Sequence, residues 1–125
     1  MGVEAQSLVE RYAHRVAPAE SGSACDAFST INPQHGHEIM LDFRRKNGDR
    51  LALPYTYLTA ITFDPSMGIK LEYTGHQVII KGRNLEPIYL ALLGYRATWL
   101  QEQSSRHDIG GDDATFISAL EIERV

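Results

Sequence analysis

The chain reads as an α+β domain: an antiparallel sheet of about six or seven strands packed on one helix, preceded by an N-terminal amphipathic helix and a linker. Three observations predict it. Between Gly68 and Leu93 the hydrophobic period switches in mid-run: Ile69, Leu71 and Tyr73 alternate with Lys70, Glu72 and Thr74. Leu85, Ile88, Tyr89, Leu92 and Leu93 then fall at i, i+3, i+4, i+7 and i+8, the spacing of one buried helical stripe. Upstream, Ile39, Leu41 and Phe43 alternate with Met40, Asp42 and Arg44 ahead of Asn47-Gly48-Asp49, a turn sequence. Between these, Thr59 to Phe63 is rich in β-branched and aromatic residues.

Taken in order, residues 3–17 read as the amphipathic helix. Ala5, Leu8, Val9, Tyr12, Ala13 and Val16 form its apolar face, and Pro18 ends it because proline cannot continue the hydrogen-bond ladder. Residues 18–36, rich in Ser, Gly, Pro and Ala, read as an irregular connection anchored only by Phe28 and Ile31. The domain proper is expected over residues 37–125. Its first strand holds Ile39, Leu41 and Phe43, and Arg50 to Pro54 returns as a second. Tyr55 to Leu58 bends, Thr59 to Phe63 is a third strand, and Asp64 to Gly68 turns with Pro65 in its preferred second position. Strands at 69–73 and 77–82 follow through Thr74-Gly75. Asn84 is the expected N-cap of a helix over 84–94, with Pro87 in the first turn where its missing N–H matters little. Residues 95–103 either extend that helix or form a strand; Gly94 and the run Tyr95-Arg96-Ala97-Thr98-Trp99 favour the strand. Residues 104–114 read as a loop, and Thr115 to Val125 as a last strand. The inward set is expected to be Ile39, Leu41, Phe43, Ile61, Phe63, Ile69, Leu71, Val78 and Ile80, pressed by Leu85, Ile88, Tyr89 and Leu92.

A chain of 125 residues, 43% hydrophobic and 22% charged, has the size and composition of one globular domain that folds without disulfides or metal. No run of apolar residues is long enough to span a bilayer. The start lacks the basic-then-apolar pattern of a signal peptide, and Gln6 stands where myristoylation wants Ser or Thr. The single cysteine suits a reducing, cytoplasmic home. A net charge of −4 argues against general affinity for nucleic acid or anionic lipid, since such binding rests on neutralising phosphates. The cluster Arg44-Arg45-Lys46 with Arg50 sits at the tip of a hairpin, where charge is normally solvated.

Candidate chemistry is sparse. His35-Gly36-His37-Glu38 offers two imidazoles, but no second ligand pair accompanies them. Cys25 lies in a small-residue stretch without a nucleophile signature, and Asp108 to Asp113 matches no calcium-loop spacing. The best anion candidate is the start of the 84–94 helix, with Lys81, Arg83 and Asn84 beside free backbone N–H groups. Tyr55, Tyr57, Tyr73, His76 and Trp99 are the residues that would line a pocket between helix and sheet.

Phe63-Asp64-Pro65-Ser66-Met67-Gly68-Ile69-Lys70-Leu71, followed by Ile80-Lys81-Gly82, resembles the two signature segments of Sm-like RNA-binding rings. Those read roughly Phe-Asp-x-x-Met-Asn-x-x-Leu and Ile-Arg-Gly. The resemblance implies a nucleotide pocket at Asp64, Gly68 and Lys81. Gly68 replaces the base-reading Asn, Lys81 replaces Arg, and a helical pattern stands where that family ends in a strand. The expectation from the residues themselves is a non-enzymatic binding or regulatory module of a bacterial-type cytoplasmic protein. It would act through protein–protein contact or self-association by the N-terminal helix, with no cofactor. The alternative is a small ligand-binding or enzymatic fold.

Overall fold

The computed structural model describes residues 26–104 and 114–125. Eight strands and one helix follow one another as β1 (Phe28–Thr30), β2 (Met40–Arg44), β3 (Arg50–Pro54), β4 (Leu58–Asp64), β5 (Gly68–Tyr73), β6 (His76–Arg83), α1 (Glu86–Leu93), β7 (Ala97–Gln101) and β8 (Phe116–Arg124). Short 3-10 turns occupy Pro33–His35 and Tyr55–Tyr57. The fold is mixed α+β, as expected, but the strands divide into two sheets of four rather than one sheet of six or seven. Sheet A runs β1-β7-β2-β3 and sheet B runs β4-β5-β6-β8. Sheet B is antiparallel throughout, whereas β2 and β7 pair in parallel. The expected helix at 3–17, together with Cys25 and the loop at 105–113, lies outside the described residues.

Local chemistry explains most of the elements. The Asn47-Gly48 turn closes β2 on β3: Gly48 takes φ 99°, the Arg45 N–H donates to the Asp49 carbonyl, and the Asn47 side chain accepts from the Asp49 N–H. The stretch expected to be irregular at 18–36 contains β1, because Phe28 buries against β7 while the Ala27 carbonyl accepts from the Gln101 N–H. Residues 95–103 resolve as a strand, and α1 stops at Gly94 as its sequence suggested. Its N-cap is Leu85, not Asn84. Asn84 adopts a left-handed conformation with φ 53° and turns the chain into the helix instead.

The core lies between the two sheets and under the helix. Leu41, Phe43, Leu53 and Leu100 face it from sheet A, and Ile69, Leu71, Val78, Ile80, Ile117 and Leu120 from sheet B. Leu85, Ile88, Ala91 and Leu92 come from the helix region. Ile61, Phe63 and Tyr89, expected inside, are half-buried at its margin. Ile39 is a correction: it precedes β2 and is 74% exposed, because the ladder begins at Met40 and leaves residue 39 beyond the pleat.

Register shifts in three ladders, at Ser29/Thr30, at Thr59 between Leu58 and Ala60, and at Lys81/Gly82, break simple alternation. The final strand buries Ile117 and Leu120, three residues apart, because Ser118 is an extra residue in a bulge: Lys81 opposes Ala119 while Gly82 opposes Ile117. Gly82 permits that approach, since a Cβ there would meet the Phe116 carbonyl oxygen at 1.9 Å. Gly68, with φ 109°, closes the β4–β5 turn where a Cβ would lie 2.1 Å from the Ile80 carbonyl oxygen.

Candidate functional site: an uncovered sheet edge

Sequence reasoning pointed first to the start of α1. Lys81 is engaged there by Glu121, with Nζ and carboxylate oxygen 3.0 Å apart. The Arg83 guanidinium lies over the Phe116 ring, 5.2 Å from its centroid. The Asn84 carbonyl accepts from the Thr115 hydroxyl. Glu86 occupies the first turn, Pro87 has no N–H, and the Ile88 N–H donates to the Leu85 carbonyl. The helix start thus carries an acidic side chain and few free donors.

The residues of the Sm-like resemblance also serve local structure. The Asp64 side chain accepts from the Ser66 N–H and hydroxyl at 2.9 and 2.8 Å. The Ser66 hydroxyl and then its N–H hold the Asp64 carboxyl below its usual range. Gly68 has no space for the side chain a base-reading residue would need.

The aromatic set does not converge on one opening. Tyr55 and Tyr73 are core residues, Tyr57 is exposed, and Trp99 lies under Arg44, whose guanidinium is 4.5 Å from its ring centroid. The Tyr55 hydroxyl donates to the Ala97 carbonyl, and burial pushes both tyrosine hydroxyls well above their ordinary range. His37 contacts the Gly94 carbonyl through Nδ1 and meets Tyr95 edge-on. Among the described residues no cluster of three or more His, Cys, Asp or Glu could hold a metal.

The basic hairpin tip is partly neutralised. Asp42 takes Arg44 at 3.1 Å and also pairs with Arg50. Burial works to raise the Asp42 carboxyl, but the hydrogen bonds from Arg50 and Arg44 outweigh it and hold it below the usual carboxylate range. A depressed folded value contributes stability above the unfolded carboxylate's pKa, and that contribution is lost as pH falls through the folded value. Asp42→Asn should therefore lower stability slightly at neutral pH and flatten its decline below about pH 4. Denaturation midpoints from pH 7 to pH 2 check this; parallel curves for both proteins would refute it.

What the fold leaves open is a backbone edge. Two sheets of four strands have four edges, and each exposes unpaired N–H and C=O groups unless something covers it. The β1 edge is only three residues long, and β3 carries Arg50 and Pro54. The first half of the β8 edge, Ile117 to Leu120, is covered by the segment after β7 and by Lys46 of the β2–β3 turn, and its second half carries Glu121, Glu123 and Arg124. Gln103 exchanges bonds with Ile117, its N–H donating to the Ile117 carbonyl and its side-chain oxygen accepting from the Ile117 N–H. Glu102, 8% exposed, accepts from the Leu120 N–H at 2.8 Å and the Lys46 N–H at 2.9 Å. Lys46 Nζ reaches the Ser118 carbonyl at 3.4 Å. Among the described residues the β4 edge has none of these covers or charges; it carries one bulge, at Thr59, and is regular from Ala60 to Asp64.

β4 reads Leu-Thr-Ala-Ile-Thr-Phe-Asp, without Lys, Arg or Pro. Its inner residues Ile61 and Phe63 pair with Leu71 and Ile69, and Phe63 stacks on Tyr89 of α1 with centroids 5.3 Å apart. Thr59, Ala60, Thr62 and Asp64 are exposed. The strand is fixed on one side by β5 and beneath by the helix, so its other side is a rigid template. Periodicity located the strand, and its lack of basic residues and proline was the signal available. That it forms an edge could not be read, because edge status depends on the pairing of distant segments. The bracing role of Glu102 and Gln103 was likewise missed in residues expected to end a strand. No protein-family model, curated protein or solved structure matches this chain.

Proposed function

We propose that this chain is a non-enzymatic binding module that acts through protein–protein contact, taking an extended strand onto β4. The observation that carries the reading is the contrast among edges: β1 is short, β3 bears arginine and proline, β8 is covered from Ile117 to Leu120 by Glu102, Gln103 and Lys46 and ends in charged residues, and among the described residues β4 stands open from Ala60 to Asp64. Strand addition takes its affinity from main-chain hydrogen bonds and its specificity from alternate side chains. β4 supplies unpaired backbone on every second residue, with the half-buried Ile61 and Phe63 as apolar contacts. A cytoplasmic setting belongs to the same reading and is supported by the single cysteine. No helix among the described residues is long and apolar enough to cross a membrane.

The test is selection of a displayed peptide library against the dilute, immobilised chain, with counter-selection against Ala60→Lys/Thr62→Lys. Both substitutions are at exposed positions of the strand. Extended peptides of alternating apolar character should be retained by the wild type and lost by the variant, and should slow amide exchange at residues 60–63. Peptides that bind both proteins equally, or that protect other residues, would refute strand addition at β4.

A further inference from the structure

Resting on the strand-addition reading of β4, we propose that its occupant is a second copy of this chain, paired β4 to β4 in antiparallel register about a two-fold axis at Ile61. Two four-stranded B sheets would then form one continuous sheet of eight strands. Such an interface is isologous, so the strand must complement itself. Centred on Ile61, it does. Ile61 faces Ile61 of the other copy, extending the apolar row begun by Leu71. Ala60 faces Thr62 of the other copy, small against small, and the bulge at Thr59 ends the regular match, which runs over Ala60 to Thr62 of each copy.

The charges on β5 select that centre. Thr62 lies beside Lys70 and Ala60 beside Glu72. Across the junction, each outer row therefore runs from Lys70 through Thr62 to Ala60 and Glu72 of the second copy, and the two-fold repeats it in reverse. The backbones at the ends of each row are about 14 Å apart, three strand spacings. Only small side chains separate them, so the long Lys and Glu side chains can lean toward one another. Moving the centre by one residue destroys this match: at Ala60 it aligns Glu72 with Glu72, and at Thr62 it aligns Lys70 with Lys70. A shift of half a residue would place core-facing positions opposite outward ones, which the pleat forbids. Electrostatics of this kind fixes register more than strength. The largely apolar strand, free of Lys, Arg and Pro, supplies the contact, and no element among the described residues competes for it.

The experiment is light scattering on the full chain from micromolar to near-millimolar concentration, with two variants that differ only at residue 62. The wild type should approach twice the 14.0 kDa of one chain as concentration rises. Ala60→Lys/Thr62→Lys sets lysine opposite lysine and should weaken association at least tenfold. Ala60→Lys/Thr62→Glu sets the introduced lysine opposite the introduced glutamate of the second copy and should restore association. Circular dichroism on both variants verifies that the fold is kept. In a Cys25→Ser background, Ala60→Cys/Thr62→Cys should cross-link two chains under mild oxidation while either single cysteine does so far more slowly, since only residues 60 and 62 are opposed. A wild type that stays monomeric at every concentration would overturn the dimer and leave the peptide-capture result to judge strand addition by itself. Dimers equally stable in both lysine-bearing variants, or cross-linking as efficient through one cysteine, would overturn the two-fold at Ile61.

Discussion

Glu102→Ala should destabilise the chain by about 1–3 kcal/mol, an effect usually associated with a core residue rather than a charged one. The carboxylate accepts from two backbone N–H groups, those of Lys46 and Leu120, one on the β2–β3 turn and one on β8. It thereby ties sheet A to sheet B at one end of the core. Alanine leaves the buried Leu120 N–H without a partner, at a cost of about 1–3 kcal/mol, while the N–H of exposed Lys46 can turn to water. Glu102→Gln keeps one carbonyl oxygen but turns an amide N–H toward the other donor, so its loss should be intermediate. Urea denaturation with the slope held in common between variants provides the measurement. A loss under about 1 kcal/mol for the alanine variant would mean that the two amides find other acceptors.

Leu92→Ala should cost about 2–5 kcal/mol, the range for deleting a buried leucine side chain with incomplete collapse of the space it leaves. Leu92 is fully buried, as is Ile88 one turn earlier, and the helix covers the core with these residues, Leu85 and Ala91. Leu93, next in sequence, is 53% exposed and provides an internal control. Leu93→Ala should cost well under half as much. Equal losses at the two positions would place the helix in the wrong rotation.

Periodicity revealed those elements whose partners are local. The β4–β5–β6 meander, the β2–β3 hairpin and α1 each carry their pattern within a few residues of their neighbours, and Leu41, Phe43, Ile69, Leu71, Val78 and Ile80 are inside as their alternation required. The division into two sheets was not legible. It depends on Phe43 pairing with Leu100 in parallel, across a separation that leaves no local trace. β1 was hidden for the same reason, since three residues opposite Leu100, Trp99 and Ala97 form a strand only because β7 is there. Ile39 was misassigned by carrying perfect alternation past the end of a ladder. The open edge stands between these cases: its composition was visible, but its lack of a neighbour was not.

The position of β7 between β1 and β2 also sets an order of events during synthesis. Sheet B can begin from its meander as soon as that meander has left the ribosome, because each strand pairs with the next. Sheet A can form only its β2–β3 hairpin. Until residues 97–101 emerge, β1 lacks β7 and β2 lacks its parallel neighbour. Pairings this distant in sequence carry the loop-closure entropy of all the chain between them before any contact offsets it. A nascent chain that stalls before β7 is therefore a half-built protein, holding the β2–β3 hairpin and the β4–β5–β6 meander but neither the strand that joins β1 to β2 nor the last strand of sheet B.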